Sequence, residues 1–150
     1  SNLLGNELAL IAGKQTDIEG LENLESASKI AIGSPDSVPA GQYAKQSLEA
    51  LELWGGMEGK LIFTKDVTQV LTYVETGNVD AGIAYWTDAQ SSDKVKVIDI
   101  LPNDTHDDIV YPAGVISLSK KKAEAIEFYE YLCSDEAMRI FEKYGFKGLK

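Results

Sequence analysis

The stretch "KIAIGSPDSVPAGQYAKQSLEAL", residues 29–51, contains a strand, a turn and the start of a helix. The short apolar run "KIAIG" favours a strand that ends at the turn "SPDS". Pro39 suits the first turn of a helix, where its missing N–H costs nothing. Apolar positions then recur at helical spacing as far as Trp54, so we expect the helix to end at the glycine pair 55–56.

The same order of strand and helix recurs along the chain. "KLIFT" is a predicted strand that precedes the amphipathic helix "KDVTQVLTYVETGN", and "VDAGIAY" is a predicted strand that precedes the polar stretch "WTDAQSSD". Further strands are predicted in "ELALIAG", "VKVIDIL" and "VYPAGVISLS", a short helix in "TDIEGLENLESA", and two closing helices in "KKAEAIEFYEYL" and "SDEAMRIFEKYGF". Alternating strands and helices predict an α/β fold with an open, mostly parallel sheet.

Composition excludes several classes of function. A formal net charge of −10 argues against nucleic-acid binding, which requires clustered Lys and Arg. The chain has one cysteine, Cys133, interpreted as a part-buried helix residue, and one histidine, His106, interpreted as a solvated loop residue. They cannot supply a disulfide, a zinc site or a nucleophile–base pair. The sequence therefore predicts no enzyme, no cofactor and no metal site.

Three predicted strand ends are candidate positions for a ligand. In open α/β sheets ligands lie beyond the carboxyl ends of the strands, where loops lead into helix amino ends. Ala40 and Gly41 fall in the first turn after "KIAIG", where unpaired amides and small side chains suit an anion. Val67 begins the helix after "KLIFT", with Asp66 predicted to cap it, and Tyr85 brings a hydroxyl to the end of "VDAGIAY". Taken singly, each feature favours an ordinary structural interpretation: a helix start, a core valine, and a tyrosine of the core or rim.

Motifs over residues 29–146 together resemble the periplasmic molybdate-binding proteins of bacterial ABC uptake systems. The similar segments are "IGSPDSVPAGQYAKQSLEAL" at 32–51, "KDVTQVLTYVETGNVDAGIAYWTDA" at 65–89, "VYPAGVI" at 110–116 and "FYEYLCSDEAMRIFEKYGF" at 128–146. The resemblance implies a lobe of the type II periplasmic-binding-protein fold, with helices on both faces of the sheet.

The resemblance also implies a ligand and its donors. In such a protein the backbone N–H groups of Ala40 and Val67 and the hydroxyl of Tyr85 would bind molybdate or tungstate. The implied partner is a membrane permease. The implied location is the periplasm, or the outer surface of a one-membrane cell through a lipid anchor.

The family's chain starts in a first lobe, crosses to a second and returns. Here residues 1–13 are expected to be a crossover strand or hinge, 14–108 the second lobe, and 109–150 a return strand and helices of the first lobe. Two first-lobe serines that the family uses for ligand binding cannot be placed, so we expect feeble binding or none. Apolar residues of the last helices need cover, either by packing back on the lobe or by a homodimer or domain swap: these are Ile126, Phe128, Tyr129, Leu132, Ile140 and Phe141.

A site made only of uncharged donors favours a dianion that carries no proton. Molybdate, tungstate and sulfate meet that condition, whereas hydrogen phosphate carries an O–H that needs an acceptor. Two alternatives stay open: another tetrahedral oxyanion such as sulfate, and an effector-sensing domain of a transcription regulator built on the same fold.

Overall fold

The computed structural model describes residues 1–150 as eight strands, six α-helices and three short 3₁₀ helices. The strands are β1 (Asn2–Gly5), β2 (Leu8–Gly13), β3 (Ile30–Gly33), β4 (Leu61–Thr64), β5 (Ala81–Tyr85), β6 (Val95–Ile100), β7 (Val110–Pro112) and β8 (Lys147–Gly148). The α-helices are α1 (Pro39–Ala50), α2 (Trp54–Met57), α3 (Val67–Glu75), α4 (Trp86–Gln90), α5 (Lys122–Leu132) and α6 (Asp135–Lys143). No helix has both the length and the apolar composition needed to cross a membrane.

The chain divides into two compact units. The larger is Glu7–Asp107, and the smaller combines Ser1–Asn6 with Asp108–Lys150. This division differs from the predicted boundaries because β2 belongs to the larger unit, whereas the sequence places it in a crossover segment. The reason is pairing, since β2 lies between β5 and β6 and hydrogen-bonds to both. That the units are parts of two lobes stays a prediction.

The larger unit is built on a five-stranded sheet in the order β4-β3-β5-β2-β6. β3 pairs in parallel with β4 and β5. β2 pairs antiparallel with β5 and β6, so it alone opposes the common direction of the other four strands. The predicted α/β class with a mostly parallel sheet is confirmed.

The order of the strands places α1 and α3 on opposite faces of this sheet. The chain moves from β3 outward to β4 through α1, and then back past β3 to β5 through α3. Since crossovers between parallel strands are right-handed, two that run in opposite directions put their helices on opposite faces. Side-chain burial agrees, because Ala31 packs with Val70 and Val74 of α3 while its neighbours Ile30 and Ile32 are fully buried on the other face.

One predicted helix end is corrected, and two other segments are specified by the structure. The helix that starts at Pro39 ends at Ala50 rather than at the glycine pair, because Glu52 takes a positive φ of 59° and breaks it. The glycine pair lies inside α2. The polar stretch after Tyr85, for which no element was predicted, forms α4, and the segment predicted as a short helix forms a 3₁₀ helix over Leu21–Ser26.

The smaller unit has a three-stranded sheet in the order β7-β1-β8. Its core is small and consists of Leu3, Leu4 and Met138 with partly buried neighbours that include Leu132 and Phe141. The strand predicted over 110–119 is only three residues long. It lies at the sheet edge, as the proline within it predicts.

Helix α5 contains no buried residue. Of the six residues predicted to need cover, Ile126, Phe128 and Ile140 are exposed, with Phe128 at 60%. Leu132 and Phe141 instead pack on the small core of their own unit. The part of the prediction that concerns another copy of the chain stays open.

Close packing of α1 against β3 depends on two glycines. A Cβ at Gly41 would collide with the carbonyl oxygen of Gly33, and a Cβ at Gly33 would lie 2.5 Å from Cγ1 of Val38. We therefore expect Gly41→Ala to force the helix away from the strand and to lower the free energy of unfolding by about 2 kcal/mol or more. Gly55→Ala is the control, because a Cβ there meets nothing within 4 Å. Urea denaturation that shows equal stability for both variants would contradict this account.

Candidate functional site

The carboxyl ends of three adjacent parallel strands lie at one edge of the larger sheet. Gly33 at the end of β3 is in register with Thr64 at the end of β4. Ile30 is in register with Ala81, which brings the end of β5 to the same edge. Neighbouring strands are about 4.8 Å apart. The chain segments that carry the three predicted ligand residues therefore all start from this edge.

Helix α1 begins at this edge without a side-chain cap. Its N-cap is Val38, whose side chain cannot accept a hydrogen bond, and its first residue is Pro39, which has no N–H. Ala40 is 1% exposed, and no hydrogen bond of the structure has its amide as donor. The small residue at Gly41, attributed from the sequence to close approach of a ligand, is already required by packing against Gly33.

Helix α3 begins at the same edge with a complete side-chain cap. The Asp66 carboxylate accepts the N–H of Gln69 at 2.8 Å, and the Gln69 side-chain oxygen accepts the N–H of Lys65 at 3.0 Å. The predicted capping role of Asp66 is confirmed. The amide of Val67, the first helical residue, donates no hydrogen bond within the protein.

Tyr85 is the last residue of β5 and the N-cap of α4. Its side chain is partly buried. Its backbone N–H donates to Oδ2 of Asp88 at 3.3 Å, and the next amide, that of Trp86, donates to the Glu7 carbonyl at 2.8 Å. Helix α4 is not among the predicted elements, although an acid three residues after a strand end is a signal for a helix start.

Asp88 is a titratable group near these strand ends, and the pKa of its carboxyl is raised. Burial raises the pKa of this carboxyl above its ordinary value of 3.8, and the hydrogen bond from the Tyr85 amide acts in the opposite direction. The net effect is that ionised Asp88 is less favourable in the folded protein than in water.

His106 is not the solvated loop residue expected from the sequence. Its ring lies 6.0 Å from that of Tyr43 in α1, and its Nδ1 lies 2.7 Å from the Asp107 carbonyl oxygen. Its Nε2 is buried without a partner. Its loop is also held to α1 by Ser47 and Thr105, whose hydroxyl oxygens are 2.6 Å apart.

The groups at this sheet edge suit an anion rather than a cation. The two amides and the phenol are hydrogen-bond donors, and helix amino ends carry partial positive charge. No group of three or more His, Cys, Asp or Glu side chains is arranged to hold a metal ion.

A family model described as bacterial extracellular solute-binding protein matches residues 1–147. The chain belongs to this family. It is 53% identical to a Bacillus subtilis protein provisionally named an ABC transporter substrate-binding lipoprotein, over 97% of the chain and 57% of the relative. It is 38% identical to the molybdate-binding protein of Escherichia coli, over 96% of the chain and 59% of the relative. The chain thus spans about three-fifths of the length of these curated relatives.

Solved structures extend the likeness to the fold. The substrate-binding domain of a provisionally named molybdenum ABC transporter of Clostridium difficile aligns over the whole chain and 66% of its own length, with a TM-score of 0.90 and 39% identity. The periplasmic molybdate-binding protein of Azotobacter vinelandii aligns over the whole chain and 68% of its own length, with a TM-score of 0.81 and 18% identity. The predicted periplasmic-binding-protein fold is confirmed by these likenesses.

The raised pKa of Asp88 predicts a pH-dependent stability. The folded protein holds this proton to higher pH than the unfolded chain, so the associated stability is present below the ordinary pKa and lost as pH rises through the raised one. Asp88→Asn removes the titration but keeps an oxygen for the Tyr85 amide. As pH rises from about 4 to about 7, we expect the thermal midpoint of Asp88→Asn to increase relative to that of the wild type. A difference that stays constant across that range would refute the assignment.

Proposed function

We propose that this chain carries the oxyanion-binding site of the solute-binding component of an ABC uptake system, with molybdate or tungstate as ligand. The observation that carries the proposal is that three adjacent parallel strands end at one sheet edge. Ala40 and Val67 follow two of these strands in the chain, and Tyr85 is the last residue of the third. The names of the Escherichia coli relative and the Clostridium difficile structure support the choice of ligand.

In this proposal the chain binds by hydrogen-bond donation alone. The amides of Ala40 and Val67 and the hydroxyl of Tyr85 donate to the oxygens of the anion, each contributing about 1.5–3 kcal/mol because the acceptor is charged. Two of the three donors are backbone N–H groups, so the anion can approach the main chain closely. Hydrogen phosphate is disfavoured, since its own O–H would face donors and leave one hydrogen bond unmade.

We further propose that the protein delivers its ligand to a membrane permease and performs no catalysis. The family of extracellular solute-binding proteins supports this role, as does the absence of any acid–base pair among the three proposed donors. The same family name, and the word lipoprotein in the name of the Bacillus subtilis relative, support a location in the periplasm or on a lipid anchor outside the cell.

Self-association is a separate proposal for the smaller unit. Nine of the eleven large hydrophobic residues that are exposed lie in this unit, although it holds only about a third of the chain. Exposed apolar surface of this kind marks interaction sites, and a homodimer or domain swap would cover these residues.

The proposed donor at Val67 can be removed by a proline. Proline at the first helical position is favourable, the preceding Asp66 already has extended backbone angles, and the Val67 amide makes no bond within the protein. We therefore expect Val67→Pro to fold normally and to bind molybdate roughly 10- to 100-fold more weakly than the wild type. Affinity is measured by titrating sodium molybdate into ¹⁵N-labelled protein, since NMR also detects weak binding.

Val67→Ala is the matched control, because it shortens the side chain and keeps the amide. Its affinity should stay within about threefold of the wild type. Sodium phosphate serves as the control ligand and should shift the Ala40 and Val67 amides less than molybdate at equal concentration. A folded Val67→Pro variant with wild-type affinity would exclude the Val67 amide as a ligand donor.

Sedimentation velocity tests the self-association proposal. We expect the sedimentation coefficient to rise with protein concentration, and Phe128→Ser, which replaces a 60% exposed ring, to reduce that rise. A wild-type chain that remains monomeric at every accessible concentration would refute it.

A further inference from the structure

Thr64 is a buried polar residue at the end of β4, next to the proposed ligand site. It is 2% exposed, and its hydroxyl donates to the carbonyl oxygen of Asp66 at 2.8 Å. The same hydroxyl lies 3.4 Å from the carbonyl oxygen of Ile32, a contact too long to compete. The single hydroxyl proton of Thr64 is therefore committed to the Asp66 carbonyl.

That carbonyl belongs to the peptide unit whose N–H is the proposed donor at Val67. A peptide unit is planar and trans, so its C=O and N–H point in opposite directions. A hydrogen bond that holds the Asp66 oxygen toward Thr64 also fixes the direction in which the Val67 N–H points. Hydrogen bonds in a chain polarise one another, so accepting a bond at the oxygen strengthens donation at the nitrogen.

A second set of hydrogen bonds restrains the same turn. The Asp66 carboxylate is held by the Gln69 amide, and the Gln69 side chain is held by the Lys65 amide. With the carbonyl held by Thr64 as well, both acceptor groups of Asp66 are committed to partners within the protein. The Asp66 carboxylate thus caps its own helix and is not directed at the proposed anion.

We propose that Thr64 is a positioning residue for the oxyanion site: through its bond to the Asp66 carbonyl it aims the Val67 amide at the ligand. This rests on the proposed function, because it presumes that the Val67 amide binds an anion. The competing explanation is that Thr64 is only a β-branched residue suited to a strand, with a hydroxyl satisfied locally.

The test compares two substitutions with sodium molybdate as the probe. Thr64→Val keeps the shape and removes the hydroxyl, whereas Thr64→Ser keeps the hydroxyl. We expect Thr64→Val to bind on the order of 5-fold more weakly and Thr64→Ser to stay within about twofold of the wild type. In the absence of ligand, Thr64→Val should also move the Val67 amide proton resonance upfield, because the Asp66 carbonyl of the same peptide unit loses its hydrogen bond from Thr64. Thr64→Ala is a second hydroxyl-free variant should Thr64→Val not fold.

A double-mutant cycle with Val67→Pro separates positioning from general destabilisation. Once the Val67 N–H is gone, adding Thr64→Val should change molybdate affinity by less than about twofold, since there is no amide left to aim. An equal loss in both backgrounds, or wild-type affinity in the folded Thr64→Val variant, overturns the role of Thr64. A wild-type chain whose amides do not respond to molybdate overturns the proposed function instead, so the two failures are distinguishable.

Discussion

The candidate site depends on the register of the parallel pairing of β3 with β4 and β5. Because Gly33 stands opposite Thr64 and Ile30 opposite Ala81, three strands end together and their following helices start from a common edge. A slip of one residue in either pairing would move one helix start along the strand direction by about 3.3 Å. The close contact of Gly41 with Gly33 holds α1 to this register.

An acidic chain that binds an anion must keep its carboxylates from facing the ligand. Two of the acids at the candidate edge are hydrogen-bonded to backbone amides: Asp66 to Gln69, and Asp88 to Tyr85. Asp66 is an N-cap, a role that satisfies a helix amide and neutralises part of the helix charge. Burial raises the pKa of Asp88, and its carboxylate accepts the N–H of Tyr85. The formal net charge of the chain is −10, and the charged groups far from the candidate site are screened by solvent and salt.

Much of the larger unit could be predicted from local patterns. The strands β3, β4 and β5 follow from short apolar runs bounded by turn residues, and α3 follows from its apolar spacing, its Asp66 cap and Gly77 at its end. The patterns failed where tertiary contacts decide the outcome. α1 stops at Ala50 because the chain turns at Glu52, and β8, with two residues, is too short to carry a pattern.

Local sequence patterns were enough to predict the α/β class and the three strand ends, because apolar periodicity and helix capping are local properties. The choice of Ala40, Val67 and Tyr85 as candidate donors came from the resemblance of the motifs to a known family. Tertiary folding was needed to establish that β2 runs against its neighbours inside the larger sheet and that His106 packs on Tyr43. It also decided that Thr64 holds the Asp66 carbonyl. These features depend on which strands pair and which groups meet on folding, and residue spacing along one chain does not encode that.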